Sequence, residues 1–210
     1  MNSNKPFTYF FLLAFAFWLL PFMFRLFMVE IPQIDDAKLQ QFPRTRNRAM
    51  QESIQYLSAG NKQGTFVSIF KNNIKSCIFN ILGGVFLGLG TLVNLIYNGF
   101  IFADIYVSSH NAGISTSMLL KLTLPHSFEL IGIWLSGGIG FYIAWLIICF
   151  MRGKENFTPK ICKLIGIYSA IMFLIILSAA YVEAFISSTF LGLNSIALMI
   201  SATLIPKNSE

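Results

Sequence analysis

The chain has 210 residues, 55% hydrophobic and only 11% charged, with a mean hydropathy of +0.66 and a formal net charge of +6. A soluble domain wets its surface with roughly a quarter of its residues charged, so a soluble globular enzyme is close to excluded. The 22 phenylalanines exclude a disordered chain as well. The class that fits is an all-α, polytopic helical transmembrane bundle.

The basic residues fall in breaks between apolar runs. There they orient the protein in the bilayer and meet anionic headgroups, and no nucleic-acid-binding motif accompanies them. Cys77, Cys149 and Cys162 form no C-x-x-C, so no disulfide framework or zinc site is expected. No cofactor is expected either.

The first apolar stretch is Phe7 to Met28, interrupted by Pro21. Lys5 before an apolar run resembles a signal peptide, but the run is long and bulky and no A-x-A site follows. A retained first span is the better reading. Next comes a polar region, residues 30–73, with an expected helix from Thr45 to Ala59 that stops at Gly60. Phe66, Ile69, Phe70 and Ile74 share a face flanked by Lys71 and Lys75. That pattern predicts an amphipathic interfacial segment turning into the second span.

The stretch Ser76 to Ala103 has no charge. The Asn98-Gly99 pair is a strong breaker, so the reading is a span over 74–97 and a broken or re-entrant piece over 100–109. Further spans are predicted over 126–151 and 164–188, with a weaker one over 190–205. This makes about five membrane helices in one domain, 1–210. Four basic residues between Arg152 and Lys163 mark that loop as cytoplasmic, and Glu30 to Lys75 holds seven basic and four acidic residues. Putting both in the cytoplasm requires an odd number of crossings between Lys75 and Ser108 and an external N-terminus, the preferred reading; if Phe100 to about Ser117 crosses as well, the N-terminus is inside and the Glu30–Lys75 region external.

Two kinds of residue carry candidate roles. Gly84 and Gly88, and Gly132, Ser136 and Gly140, have the small-xxx-small spacing that lets helix backbones approach. Packing within the bundle is the simpler reading of these and a homodimer face the alternative. The intramembrane polar residues Asn98, His126, Glu129 and Glu183, with Asn73, form a candidate interior polar cluster, because ionisable groups in a span must face inward and find a partner. Pro125 and Glu129 also read as ordinary start signals for a helix. A metal site on His126, Glu129 and Glu183 is a weak reading, and no nucleophile motif occurs.

Several short pieces recur in a familiar order. Phe70-Lys71-Asn72-Asn73 leads into the Gly-rich span, and Asn98-Gly99 follows. Then come Leu124-Pro125-His126-Ser127-Phe128-Glu129-Leu130, Gly137-Gly138-Ile139-Gly140 and finally Ala180-Tyr181-Val182-Glu183-Ala184-Phe185-Ile186-Ser187. Over about residues 66–188 this resembles the stage II sporulation protein M family. Ser127 departs from the Gly expected there, and Phe102-Ala103 from a second Gly after the Asn-Gly pair. The resemblance implies a non-enzymatic, multi-pass protein of the bacterial cytoplasmic membrane. Founding members work with peptidoglycan-degrading partners during engulfment of the forespore, and other relatives accompany circular bacteriocins in production, export or immunity. The expectation is therefore a scaffold or anchor in a membrane complex, with the lipid bilayer and a membrane or envelope protein as partners. The alternatives are a transport or export component with an interior polar path and, behind it, an intramembrane hydrolase.

Overall fold

The computed structural model describes residues 7–28, 56, 59–111, 116–154 and 158–187. Most of the expected helix Thr45–Ala59 and the weak span 190–205 lie outside the described residues. Five α-helices are described: α1, Phe7–Met28; α2, Lys62–Gly83; α3, Leu89–Asn111; α4, Thr116–Met151; and α5, Pro159–Tyr181, which runs into a π-helical segment, Val182–Ser187. Among the described residues, three stretches are long and apolar enough to cross a membrane: Phe7–Phe27, Ser127–Met151 and Pro159–Ile186.

The helix starts have local causes. Asn61 caps α2 by accepting from the Gly64 N–H at 2.9 Å, and Thr158 caps α5 with Pro159 in the first turn. By contrast, Pro125 is not a start signal, because α4 already begins at Thr116 and runs through it.

The single span expected over 74–97 does not form. The chain turns back at residues 84–88 instead, and Asn98-Gly99 lies inside α3. The physical reason is glycine. Leu87 and Gly88 have φ of 53° and 82°, a left-handed pair that ends the helical path. Gly83 and Gly90 touch backbone to backbone across the turn, where a Cβ on Gly90 would lie 2.8 Å from the Gly83 Cα. Short-range bonds close the turn: Gly84 N–H to Ile81 C=O at 3.1 Å, Val85 N–H to Leu82 C=O at 3.0 Å and Leu89 N–H to Phe86 C=O at 3.1 Å. Gly99, meanwhile, faces the Trp18 carbonyl and the Pro21 ring of α1, so it serves close approach and not breakage. A lone glycine costs a helix only about 1 kcal/mol. Nor is the Phe66–Ile74 face a separate surface helix, for it is the first half of α2, with Ile69 and Asn73 buried.

Contacts fix the directions. Gly84 meets Gly140, Asn80 meets Ser136 and Cys77 meets Gly132, so α2 and α4 run parallel in constant register. Gly99 meets Trp18 and Arg25 donates to Asp104 at 2.6 Å, so α1 and α3 are parallel too. Phe10 packs on Tyr142 and Trp18 on Trp134, which sets α1 antiparallel to α4. Ile176 against Gly132 does the same for α5. The core is aromatic and aliphatic, around Trp18, Leu95, Ile133, Leu135 and Ile176.

This arrangement corrects the expected topology. Because α2 and α3 form a hairpin, Lys75 and Ser108 lie at the same end of the bundle. Arg152 follows α4 at the opposite end, beside the start of α1. Lys71 and Lys75 therefore stand at one end and Arg152 and Lys154 at the other.

The α2–α4 crossing is tight. A Cβ on Gly140 would strike the Asn80 carbonyl oxygen and lie 2.5 Å from Thr91 Oγ1. Gly140→Ala should therefore destabilise the protein by about 1–3 kcal/mol. Gly166→Ala, with nothing within 4 Å, should not. Thermal unfolding of the detergent-purified variants checks this, and equal melting temperatures would contradict the crossing.

Candidate functional site

The hairpin encloses a lattice of neutral polar side chains. On α2 they are Ser76 and Asn80, four residues apart. On α3 they are Thr91, Asn94 and Asn98, spaced three and four apart and so on one face. Ser136 on α4 completes the set. Antiparallel α2 and α3 bring the first two faces together, and the parallel α4 closes the lattice from the side.

Asn80 is the hub and is fully buried. Its Nδ2 donates to Ser136 Oγ at 2.9 Å and to the Ile133 carbonyl at 3.3 Å. Its Oδ1 accepts from Asn94 Nδ2 at 2.7 Å, and its backbone carbonyl accepts from Thr91 Oγ1 at 2.7 Å. Ser136 passes its own hydroxyl proton to the Ile133 carbonyl at 2.7 Å. Asn94 also donates to Ser76 Oγ at 3.1 Å. Asn98 Nδ2 donates to the Asn94 carbonyl at 2.7 Å and reaches Ser76 Oγ at 3.4 Å. The amides thus join both arms of the hairpin to α4.

The predicted interior cluster of Asn98, His126, Glu129, Glu183 and Asn73 is distributed differently. Asn98 belongs to the lattice. Asn73 and Glu129 are both buried, each 8% exposed, and the α2–α4 register places them opposite one another, one turn nearer the Lys71 end. Glu183 is half-buried in the π segment, which packs on α2 and α4. Phe185 of that segment meets Phe66 at 6.3 Å, so Glu183 sits near the rim rather than deep in a span. The side chain of His126 lies outside the described residues. Among the described residues no group of three or more His, Cys, Asp or Glu is placed to hold a metal ion.

The small residues occupy close contacts. Gly84 lies in the turn against Gly140, and a Cβ on Gly88 would lie 3.2 and 3.3 Å from Phe141 and Ala144. Gly132 faces Ile176, whose side chain a Cβ there would strike, while Ser136 is taken up by the lattice. Sequence reasoning overlooked Ser76, Asn80, Thr91 and Asn94. The spacing of Thr91, Asn94 and Asn98 along one helix face was the available signal, and it was masked by reading 74–97 as one helix. Asp104 has its counter-charge in Arg25, with the two side chains 33% and 27% exposed.

The hub makes a specific demand. Asn80→Ala removes the bonds of the Asn80 amide to Ser136 Oγ, the Ile133 carbonyl and Asn94 Nδ2 together, and should cost about 1–3 kcal/mol. Asn98→Ala, at the open end of the lattice, should cost less. A melting series with Asn80→Ala, Asn94→Ala and the double variant checks it. Additive losses would show that the two amides are not coupled.

An uncharacterized protein of Methanocaldococcus jannaschii is 30% identical over 130 residues, covering 60% of this chain and 73% of that protein. No solved structure matches. The stage II sporulation protein M family matches residues 7–188. With that match spanning all five described α-helices, the chain belongs to the stage II sporulation protein M family and is a multi-pass protein of the bacterial cytoplasmic membrane.

Proposed function

We propose that the chain is a non-catalytic scaffold that anchors a partner complex of the cell envelope in the membrane. One observation carries this reading. The deepest polar side chains, Asn80, Thr91, Asn94 and Ser136, hydrogen-bond to one another and to backbone carbonyls. Groups so engaged hold helices together. A residue that binds a cargo or moves protons must release its internal partner to do so. The partner this reading implies is a membrane or envelope protein, held through the lipid-facing surface or through the polar segment between α1 and α2. A homodimer remains the alternative assembly.

Transport or export, including bacteriocin export or immunity, is the second reading. It is favoured by one feature: Ser76, Asn94 and Asn98 are only partly buried, so the lattice opens toward the Lys75 end. An intramembrane hydrolase using His126 and the glutamates ranks below both.

Complementation separates the first two. Asn94→Ala and Asn98→Ala would be introduced into a strain lacking the chain, and both the membrane level of each variant and the rescue of the deletion phenotype would be measured. Under the scaffold reading, rescue should follow the amount of folded protein. Loss of rescue at normal membrane level would reject it in favour of a polar path.

A further inference from the structure

The turn between α2 and α3 has the wrong surface for water. Val85, Phe86, Leu87 and Leu89 are each more than half exposed, with Phe86 at 72%. No polar side chain occurs between Leu82 and Gly90. The exposed face continues up α2 through Leu82, Phe79 and Ile78 to Lys75 and Lys71, which are also exposed. Lysines above an apolar stripe mark where a helix enters hydrocarbon.

The depth is set by the register with α4. Lys75 to Gly84 is about 14 Å of helix, and Leu89 back to Asp104 is about 22 Å. A bilayer core is about 30 Å thick and takes about 20 helical residues. The turn meets α4 at Gly140, Phe141 and Ala144, while α4 runs on to Met151, about 10 Å further. The turn therefore stops well short of the end of α4 that carries Arg152.

Hydrocarbon favours backbone groups that are satisfied internally, and both flanks of the turn supply such bonds. The N–H groups of Gly84, Val85, Leu89 and Leu92 all bond to carbonyls within the hairpin. The Asn80 carbonyl, near the end of α2, takes the Thr91 hydroxyl.

We infer that α2 and α3 form a re-entrant hairpin, entering and leaving the bilayer at the Lys71–Lys75 end, with its tip at residues 85–89 covered by acyl chains of the opposite leaflet. The chain then crosses the membrane with α1, α4 and α5 and dips into it with α2–α3. Lipid is the occupant because the lysine-to-tip length matches one leaflet and the tip offers no polar group to a protein partner.

The test uses the full chain with Cys77→Ser, Cys149→Ala and Cys162→Ser, reconstituted in phosphatidylcholine–phosphatidylglycerol vesicles. Single cysteines go in by Phe86→Cys and, separately, Val85→Cys, with Lys75→Cys and Lys154→Cys as references for the two faces. The tip side chains are exposed, so the substitutions remove little packing, and gel filtration verifies the fold. A membrane-impermeant maleimide is supplied on both faces, and a spin label at the same site reports collision with oxygen against a water-soluble nickel complex. The tip cysteines should react roughly tenfold slower or less than the Lys154→Cys site, with high oxygen and low nickel accessibility. Maleimide reaction at the reference rate would overturn the proposal, since the tip would then reach water. Slow reaction with low oxygen accessibility would overturn it also, because the tip would be covered by protein.

Discussion

The backbones of α2 and α4 touch at Gly84 and Gly140, and the arrangement of the remaining helices depends on that approach. Once the two chains are this close and parallel, Asn80 must lie beside Ser136 and Cys77 beside Gly132. The turn at 84–88 then has one place to go, folding α3 back over α2 with Gly90 on Gly83. α1 follows, because α3 offers Gly99 to the Trp18 carbonyl and Leu95 to the groove beside Ala14 and Gly137. A side chain larger than hydrogen at Gly140 would push α2 outward and separate the amides from Ser136 and Ile133. In a membrane, where lipid tails compete equally well for apolar surface, such close approach is the main source of helix association.

Hydrogen bonds contribute specificity more than raw strength. An interhelical bond in a membrane protein averages about 0.6 kcal/mol, because the separated helices find other partners. The penalty for a buried amide left without one is larger, about 1–3 kcal/mol. Asn80 donates twice through its amide and accepts from Asn94, so a shift of one residue in the α2–α4 register would strand its amide group. The lattice thus selects one register among several that glycine packing alone would tolerate. The aromatic contacts do the same on the other side. Trp18 packs against Phe22, Phe102 and Trp134 at 5.2–5.6 Å, which ties α1 to both α3 and α4.

The membrane class and the three long apolar helices were legible in the sequence, because hydropathy is summed over twenty residues and tolerates local error. The hairpin was not. Two breaker pairs, Gly83-Gly84 and Asn98-Gly99, lie in one uncharged stretch, and only the second reads as a break, the first reading as helix packing. The deciding factors were a left-handed pair at Leu87-Gly88 and an approach between Gly83 and Gly90, both tertiary facts. That error propagated: with residues 74–97 read as one helix, Asn80 and Asn94 seemed to belong to one rod, and their pairing across a turn was invisible. Gly140 and Ser136 were picked out by spacing, yet the partner of each lay on the misread segment. Pro125 misled in the same way, since a proline ten residues into a helix looks like a start when Thr116, Ser117, Lys121 and Thr123 interrupt the apolar run before it.

Depth sorts the polar residues by charge. Arg25, Asp104, Lys71, Lys75 and Glu183 stand toward one end of the bundle, with Glu129 opposite Asn73 just inside it. Arg152, Lys154, Lys160 and Lys163 stand at the other. Between these ends the described helices carry amides and hydroxyls but no ionisable carboxylate or amine. A charge at the bilayer centre costs about 2.5–3.5 kcal/mol even by the lenient insertion scale. Asparagine supplies two donors and an acceptor without that cost, and each is consumed where α2, α3 and α4 meet. The tip follows the same trend: the amides of Gly84, Val85 and Leu89 on its flanks bond within the hairpin, and valine, phenylalanine and leucine occupy the turn. A hairpin built this way gains from staying in the hydrocarbon, since carrying the exposed Phe86 and Leu89 into water would give up about 25 cal/mol for every Å² of apolar surface they now hide in lipid.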